Sequence, residues 1–279
     1  QLGSGSALAA LTGIDVVSDF RSADVALGGQ GAPLVPIFDA AFLSSERSDR
    51  LLVNIGGISN LTYLPKRTGT ATDHAVVAFD CGPGNMMLDL IMQEFADRPY
   101  DASGAVARGG QVHRALLEEM LAHRYFQTPP PRSTGRELFG SAFLRRARTM
   151  LKEGSLPLAD AMATLTELTA HAIANSLSFI GPTTDLEVIV SGGGAHNTFL
   201  MERLGVLLRQ EATAAGGSGA VTLTTSDALG IPAGAKEAVA FAFLAKACLD
   251  RLPVHLPSTT GASRQLVLGS ISIGASPSA

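Results

Sequence analysis

Apolar runs broken by glycine and polar turns fill the first part of the chain, and they predict strands. A short helical stretch, "GSALAALT", precedes "IDVVSDF", whose β-branched residues predict a buried strand. The segment "RLLVNIGGISNLTYLP" contains two apolar runs, residues 51–55 and 61–64, with Gly56 and Gly57 between them. The run "AVVAFD" predicts a third strand. Three closely spaced strands with turn residues between them indicate an antiparallel meander.

From about Met86 onward, apolar residues recur at helical spacing, as in "NMMLDLIMQEF" and "LADAMATLTELTAHAIANSLSFI". The segment "LEVIVSGGGAHNTFLMERLGVLL" then predicts a strand, a glycine turn and a helix. A further strand ("AVTLTTSD"), a further helix ("AKEAVAFAFLAKACL") and a final strand follow. The pattern predicts an α/β fold with a meander first and strand–helix units afterwards. A division near residues 85–95 or 175–185 is expected.

The bulk composition excludes several classes of protein. The chain of 279 residues is 46% hydrophobic and 16% charged, which is typical of a folded protein with a sizeable core. The net charge is −4 and no basic stripe occurs, so nucleic acid is not expected as a partner. No apolar run reaches the roughly 18 residues of a membrane helix. Cys81 and Cys248 have neither metal-ligand spacing nor a disulfide pattern, so we expect a cytoplasmic protein that does not bind membranes.

The segment "FDCGPGNMMLDL" places Asp80 where an apolar run stops, directly before a loop with almost no side chains. One interpretation is a strand-to-helix turn with a solvated aspartate. The other is a carboxylate that points into a cleft, beside a backbone that approaches an anion closely.

Two further glycine segments allow two interpretations each. In "VIVSGGGAHN", Gly192, Gly193 and Gly194 follow a strand and precede a helix start, where backbone N–H groups attract anions. Tight packing is the competing interpretation, because the spacing does not match the dinucleotide fingerprint. In "VNIGGISN", the glycine pair is typical of a hairpin turn. The small polar residues around it, Asn54 among them, could also bind phosphate oxygens.

Two charged segments complete the set of candidates. "DFRSADVALGGQGAPLVP" contains Arg21 and Asp24 before a glycine-rich loop, and such a cluster indicates either a solvated loop or a binding loop. "RSTGRELF" contains Arg136, which could hold an anionic group. In the alternative interpretation Ser133 caps a helix and Arg136 is solvated.

A series of segments resembles one protein family, both in sequence and in order along the chain. The segments are "TGIDVVSDF", "ALGGQGAPLVP", "NIGGISNLTYL", "FDCGPGNMMLD", "STGRELF", "VSGGGAHNTFLMERL" and "KEAVAFAFLA" through "STTGAS". That family is the anhydro-N-acetylmuramic acid kinases, which share the fold of actin, sugar kinases and the heat-shock chaperone ATPases. The resemblance covers nearly the whole chain. It implies a two-lobed actin-like ATPase (sugar kinase) fold.

The resemblance also implies roles for individual residues. "NIGGISN" is similar to the second phosphate-binding hairpin of the fold, "SGGGAHN" to its adenosine loop, and "FDCGPGN" to the stretch that carries the catalytic carboxylate, here Asp80. The residues implied in binding ATP or its phosphates are Asn54, Gly56, Gly57, Gly82, Gly84, Asn85, Gly192, Gly193, Gly194 and Asn197. Those implied in binding the sugar are Arg21, Asp24, Gln30, Arg136 and Glu237. No metal-binding residue is identified.

The implied reaction opens 1,6-anhydro-N-acetylmuramic acid. Water attacks the anomeric carbon, the anhydro bridge breaks, and the freed O6 takes the γ-phosphate of ATP. The product is N-acetylmuramic acid 6-phosphate, an intermediate of peptidoglycan recycling. The lactyl carboxylate of the sugar calls for an arginine, for which Arg21 and Arg136 are candidates. ATP and Mg²⁺ are the implied cofactors, and a homodimer is compatible with the resemblance.

The chain departs from the family pattern at its start. Family members begin with a strand and a "GTSLDG"-like phosphate loop and carry an "HGQT"-like stretch, and neither occurs after Gln1. We therefore expect an incomplete first lobe. Residues 1–90 would form the β-rich substrate and phosphate portion, and residues 91–279 the mostly helical lobe with the adenosine loop. Ser22 and Ala23 also stand where the family usually has arginines. The alternative hypothesis is a truncated, non-catalytic derivative that binds a sugar or a partner.

Overall fold

The computed structural model describes residues 3–67, 76–181, 183, 185–216 and 220–275. Within these residues the strands are β1 (Val16–Ser18), β2 (Asp49–Ile55), β3 (Ile58–Leu64), β4 (Val77–Pro83), β5 (Leu186–Ser191), β6 (Val221–Thr225) and β7 (Ser270–Ser272). The helices are α1 (Gly5–Thr12), α2 (Ser22–Ala26), α3 (Val35–Phe42), α4 (Met86–Ala96), α5 (Ala105–Arg108), α6 (Arg114–Leu121), α7 (Arg145–Lys152), α8 (Leu158–Ala174), α9 (Thr198–Ala214), α10 (Lys236–Leu249) and α11 (Pro257–Thr260).

The chain forms two compact units. Unit 1 contains the described residues of 1–44, 67–77 and 237–279, and unit 2 those of 45–66 and 78–236. These units do not follow the predicted division at residue 90. Strands β2 to β4 share a sheet with β5 and β6, and β7 pairs with β1. Each unit therefore combines chain segments from both sides of that residue.

The sheet of unit 2 has the strand order β4-β3-β2-β5-β6. Strand β2 pairs antiparallel with β3 and parallel with β5, and β5 pairs parallel with β6. Leu51, Leu52 and Val53 of β2 are all buried, as expected for a central strand that is covered on both faces. The predicted pair of strands is confirmed, as is the α/β class.

Helix α8 is buried at the centre of unit 2. Its buried face includes Thr164, Thr166 and Thr169 as well as apolar residues, and it packs against α4 in one apolar core. Hydroxyl groups are compatible with this environment where they find a backbone acceptor. The Thr169 hydroxyl donates to the carbonyl of Gly84 at 3.2 Å. Helix α8 thereby holds Gly84, in the loop between β4 and α4, in place.

Unit 1 is built around a short antiparallel sheet of β1 and β7. Helix α1 ends at Thr12 and is capped by Gly13, whose φ of 69° is the left-handed conformation that glycine adopts without strain. Phe38, Phe42 and Phe243 form an aromatic cluster that packs α3 against α10. Among the helices of the described residues, none combines the length and apolar character needed to cross a membrane.

Candidate functional site

Three glycine-bearing loops of unit 2 meet where strands end, and we call residues 56–57, 82–85 and 192–194 the glycine cradle. The loop after β4 lies on the β2–β3 turn. The N–H of Gly84 donates to the carbonyl of Gly57 at 2.9 Å, and the N–H of Asn85 donates to that of Gly56 at 2.8 Å. The Asn85 side chain adds a bond from Nδ2 to the carbonyl of Ile55 at 3.3 Å. The structure thus brings together glycines that are far apart in sequence.

The loop after β5 packs on the same turn from the other side. A Cβ on Gly192 would lie 2.6 Å from Oδ1 of Asn54 and 2.7 Å from the carbonyl oxygen of Ile55, and its φ is +80°. A Cβ on Gly194 would overlap the side chain of Ile55. Asn197 is buried, and its Oδ1 accepts a bond from the Leu200 N–H at 3.0 Å, which caps α9. Tight packing therefore explains Gly192 and Gly194.

The cradle glycines differ in how much free space surrounds the position that a Cβ atom would take. Gly82 and Gly84 are buried, and a Cβ there would lie 2.9 Å from the Phe126 ring or overlap the carbonyl of Gly56, respectively. By contrast, Cβ atoms on Gly57 or Gly193 would meet nothing closer than 3.6 Å, and both residues are exposed. The buried glycines shape the cradle, and the exposed ones leave backbone accessible to a ligand.

This difference predicts opposite responses to alanine within one loop. Gly194→Ala is expected to lower the free energy of unfolding by about 1–3 kcal/mol, because the new methyl group overpacks against Ile55. Gly193→Ala, the matched control, should change it by less than about 0.5 kcal/mol. Chemical denaturation of both variants measures the difference. Equal unfolding midpoints would contradict the packing assigned to Gly194.

A cavity of about 450 Å³ opens beside the cradle. This volume is in the range of small-molecule sites. The lining combines apolar surface with amide, carboxylate and hydroxyl groups, from Asn85, Leu88, Asp89, Tyr100, Asp101, Ser103, Gly193, His196 and Asn197. Asp101 accepts N–H bonds from Val106 and Ala107 at 2.9 and 3.0 Å, which fixes the wall at the start of α5. Burial raises the pKa of Asp89. The sequence hypothesis included only Asn85, Gly193 and Asn197 of this lining.

Asp80 lies within β4 and is half-buried, so the interpretation as a solvated turn residue is wrong. Its Oδ2 accepts a hydrogen bond from the N–H of Thr134 at 2.9 Å. Burial raises the pKa of the Asp80 carboxyl above its ordinary value, and the charge of Glu137 acts in the same direction. The Thr134 bond and the charge of Arg132 oppose the rise. A fixed carboxylate with a raised pKa is suited to accept a proton near neutral pH.

The arginine that contacts Asp80 is Arg132, which the sequence hypothesis missed. Its Nε donates to the backbone carbonyl of Asp80 at 3.0 Å. Arg136, the predicted arginine, is exposed. The alternative role of Ser133 as a helix cap is wrong, because the segment around it is not helical and α7 begins only at Arg145. The sequence around Arg132 gives no sign of its contact with Asp80, because the two residues are 52 positions apart.

The other predicted sugar-binding residues belong to unit 1. Arg21, Gln30 and Glu237 are exposed, and the Arg21 guanidinium donates to the carbonyl of Gly31. Glu237 lies in the first turn of α10.

Asp24 requires a correction, because it is fully buried. Its Oδ1 lies 2.6 Å from both the Thr260 hydroxyl and Nε2 of His255, and its Oδ2 accepts the Gly31 N–H at 2.6 Å. Both oxygens are therefore occupied within unit 1. The predicted contact between Asp24 and a sugar gives way to a structural role, which is to hold the glycine-rich loop against α11.

The family model for anhydro-N-acetylmuramic acid kinase matches residues 1–274. The chain belongs to this family. It is 47% identical over 266 residues to the anhydro-N-acetylmuramic acid kinase of Cupriavidus pinatubonensis, covering 95% of this chain and 66% of that protein. It is 46% identical over 274 residues to the kinase of the same name from Shewanella sediminis, covering 97% of this chain and 68% of that protein.

These comparisons confirm the predicted family, whose matched members are named as kinases, and they give no support to a non-catalytic derivative. The chain spans about two thirds of the length of the curated relatives that it matches. The mixed five-stranded sheet of unit 2 is consistent with the sugar-kinase fold predicted from the resemblance.

Proposed function

We propose that the full-length protein is an ATP-dependent kinase that opens the 1,6-anhydro bond of anhydro-N-acetylmuramic acid and phosphorylates O6. The observation that carries this proposal is the Asp80 carboxylate, half-buried on a strand and held by one backbone N–H, in the same unit as the glycine cradle. The family membership supplies the substrate class. The product is N-acetylmuramic acid 6-phosphate.

In this mechanism Asp80 accepts a proton from water while the water oxygen bonds to the anomeric carbon. The C1–O6 bond of the sugar breaks, and O6 attacks the γ-phosphorus of ATP, so that the bond to the leaving ADP oxygen breaks. The exposed glycines of the cradle offer backbone N–H groups to the phosphates, as phosphoryl transfer requires. The cavity beside the cradle accommodates the nucleoside. We propose Arg21, Gln30, Arg136 and Glu237 as the residues that bind the sugar.

Mg²⁺ accompanies ATP in this proposal. Protein sites for Mg²⁺ usually contribute one or two carboxylates, and the substrate phosphates contribute the remaining ligands apart from water. Within the part of the chain that the structure describes, no group of three His, Cys, Asp or Glu side chains is arranged to hold a metal ion. This is compatible with an Mg²⁺ ion that the ATP phosphates hold with few protein ligands, and no chemical step of the proposal is assigned to the ion. The need for ATP supports a cytoplasmic location.

Mass spectrometry of a reaction run in H₂¹⁸O tests the proposal. With ATP, Mg²⁺ and the anhydro sugar, the full-length protein should yield one sugar phosphate per ADP. That product should carry a single ¹⁸O at C1, because water attacks the anomeric carbon. ADP formation without a sugar phosphate, or ¹⁸O in released phosphate, would show that the assignment is wrong.

A further inference from the structure

Arg132 occupies an aromatic enclosure next to Asp80. Its guanidinium carbon lies 5.0 Å from the ring centre of Phe79, 5.0 Å from that of Tyr125 and 4.8 Å from that of Phe179. The residue is half-buried. Three ring faces stabilise the cation and restrict the plane of the guanidinium group.

The Arg132 side chain donates hydrogen bonds to three backbone carbonyls, one of which is that of Asp80. Nε donates to the carbonyl of Asp80 at 3.0 Å, and Nη1 donates to the carbonyls of Tyr125 and Thr128 at 3.0 and 2.7 Å. Nη2 lies 3.3 Å from the hydroxyl of Ser176. The Tyr125 hydroxyl donates to the same Asp80 carbonyl at 2.9 Å.

The backbone of residues 132–134 also binds Asp80. The N–H of Asp80 donates to the carbonyl of Arg132 at 3.2 Å, and two residues further on the N–H of Thr134 reaches the Asp80 carboxylate. We propose that Arg132 is a positioning residue for the Asp80 carboxylate, which locks residues 132–134 onto β4 and keeps a positive charge beside the base. This inference rests on the proposed role of Asp80 as the general base.

Among the described residues, the titratable groups that interact electrostatically with Asp80 are Arg132, Glu137, Tyr125 and Cys81. Burial raises the pKa of Cys81 to about 12 and also raises that of Tyr125, so both stay neutral near pH 7. The positive charge of Arg132 lowers the pKa of Asp80, and the negative charge of Glu137 raises it. Loss of the Arg132 charge should therefore move the ionisation of Asp80 to higher pH.

The test compares Arg132→Gln with Arg132→Lys in the full-length protein. Arg132→Gln should lower kcat by about 10- to 100-fold, because a displaced base loses its alignment. The acid limb of its kcat–pH profile should move to higher pH, while KM for ATP stays the same. Arg132→Lys keeps the charge, so its acid limb should remain at the wild-type position. If the acid limb of Arg132→Lys lies at the same pH as that of Arg132→Gln, the electrostatic part of the proposal is overturned.

Hydrogen exchange separates this inference from the proposed function. The peptide that contains Thr134 should be protected in the wild type and should lose protection in Arg132→Gln, whether or not the sugar is the substrate. If Arg132→Gln does not fold, Tyr125→Phe removes one donor to the same carbonyl and should lower kcat in the same direction. A folded Arg132→Gln with wild-type kcat, acid limb and Thr134 protection would overturn the proposal. If that variant does not fold, a folded Tyr125→Phe with wild-type kcat would overturn it.

Discussion

Asp80→Asn in the full-length protein should lower kcat by about 100- to 10,000-fold, the range typical of a lost general base. Asparagine has nearly the same size and can still accept the Thr134 N–H bond, but it cannot take a proton from water. KM for ATP should change little, because Asp80 is not among the residues that line the cavity beside the cradle. The acid limb of the pH profile should disappear with the carboxyl group. Steady-state kinetics across pH measure all three effects.

Stability provides the control for this variant. Since burial raises the pKa of Asp80 above 3.8, the folded state binds its proton more tightly than the unfolded state does. The ionised carboxylate therefore reduces stability as pH rises above that value, and Asp80→Asn should unfold at the same or a higher temperature than the wild type at neutral pH.

Asp97→Asn, at an exposed left-handed position, is the matched control and should retain kcat. If Asp80→Asn keeps more than about a tenth of wild-type kcat, Asp80 is not the base. Glu237 would then be the next residue to test.

Asp24→Ala should lower the free energy of unfolding by about 3–5 kcal/mol, because each buried donor that is left without an acceptor costs about 1–3 kcal/mol. The variant leaves His255, the Thr260 hydroxyl and the Gly31 N–H without their acceptor in a fully buried position. Denaturant titration of the full-length protein measures the loss.

Asp250→Ala is the matched control for Asp24. Asp250 lies in the same unit and pairs with Lys246 on the surface. Exposed pairs contribute about 0–1 kcal/mol, so this variant should unfold close to the wild type. Similar losses in both variants would contradict the buried network around Asp24.

The local sequence pattern was sufficient to predict the pair of strands β2 and β3 in unit 2. Two apolar runs around Gly56 and Gly57 leave few alternatives to a hairpin, and β2 and β3 form one. The pattern also located Asp80 next to a glycine loop. It could not show that Gly84 and Gly192 pack on the same turn, because that contact depends on the order of the strands in the sheet.

The errors come from partners that are remote in sequence. Asp24 lies in a run of charged residues that is typical of a solvated loop, yet it is buried by His255 and Thr260 from near the other end of the chain. Arg132 is surrounded by Phe79, Tyr125 and Phe179, which no short window contains. Residues that repeat or cap a helix locally leave a pattern in the sequence, whereas side chains that join separate segments leave none.

The position of Cys81 has a consequence for covalent inhibition. Neighbouring residues of a strand point to opposite faces, so the thiol next to Asp80 points away from the carboxylate and is fully buried. A pKa near 12 leaves almost none of the reactive thiolate at neutral pH. Electrophilic compounds designed to anchor on this cysteine should therefore fail to label the native enzyme. Reversible ligands that fill the cavity beside the cradle are the better starting point.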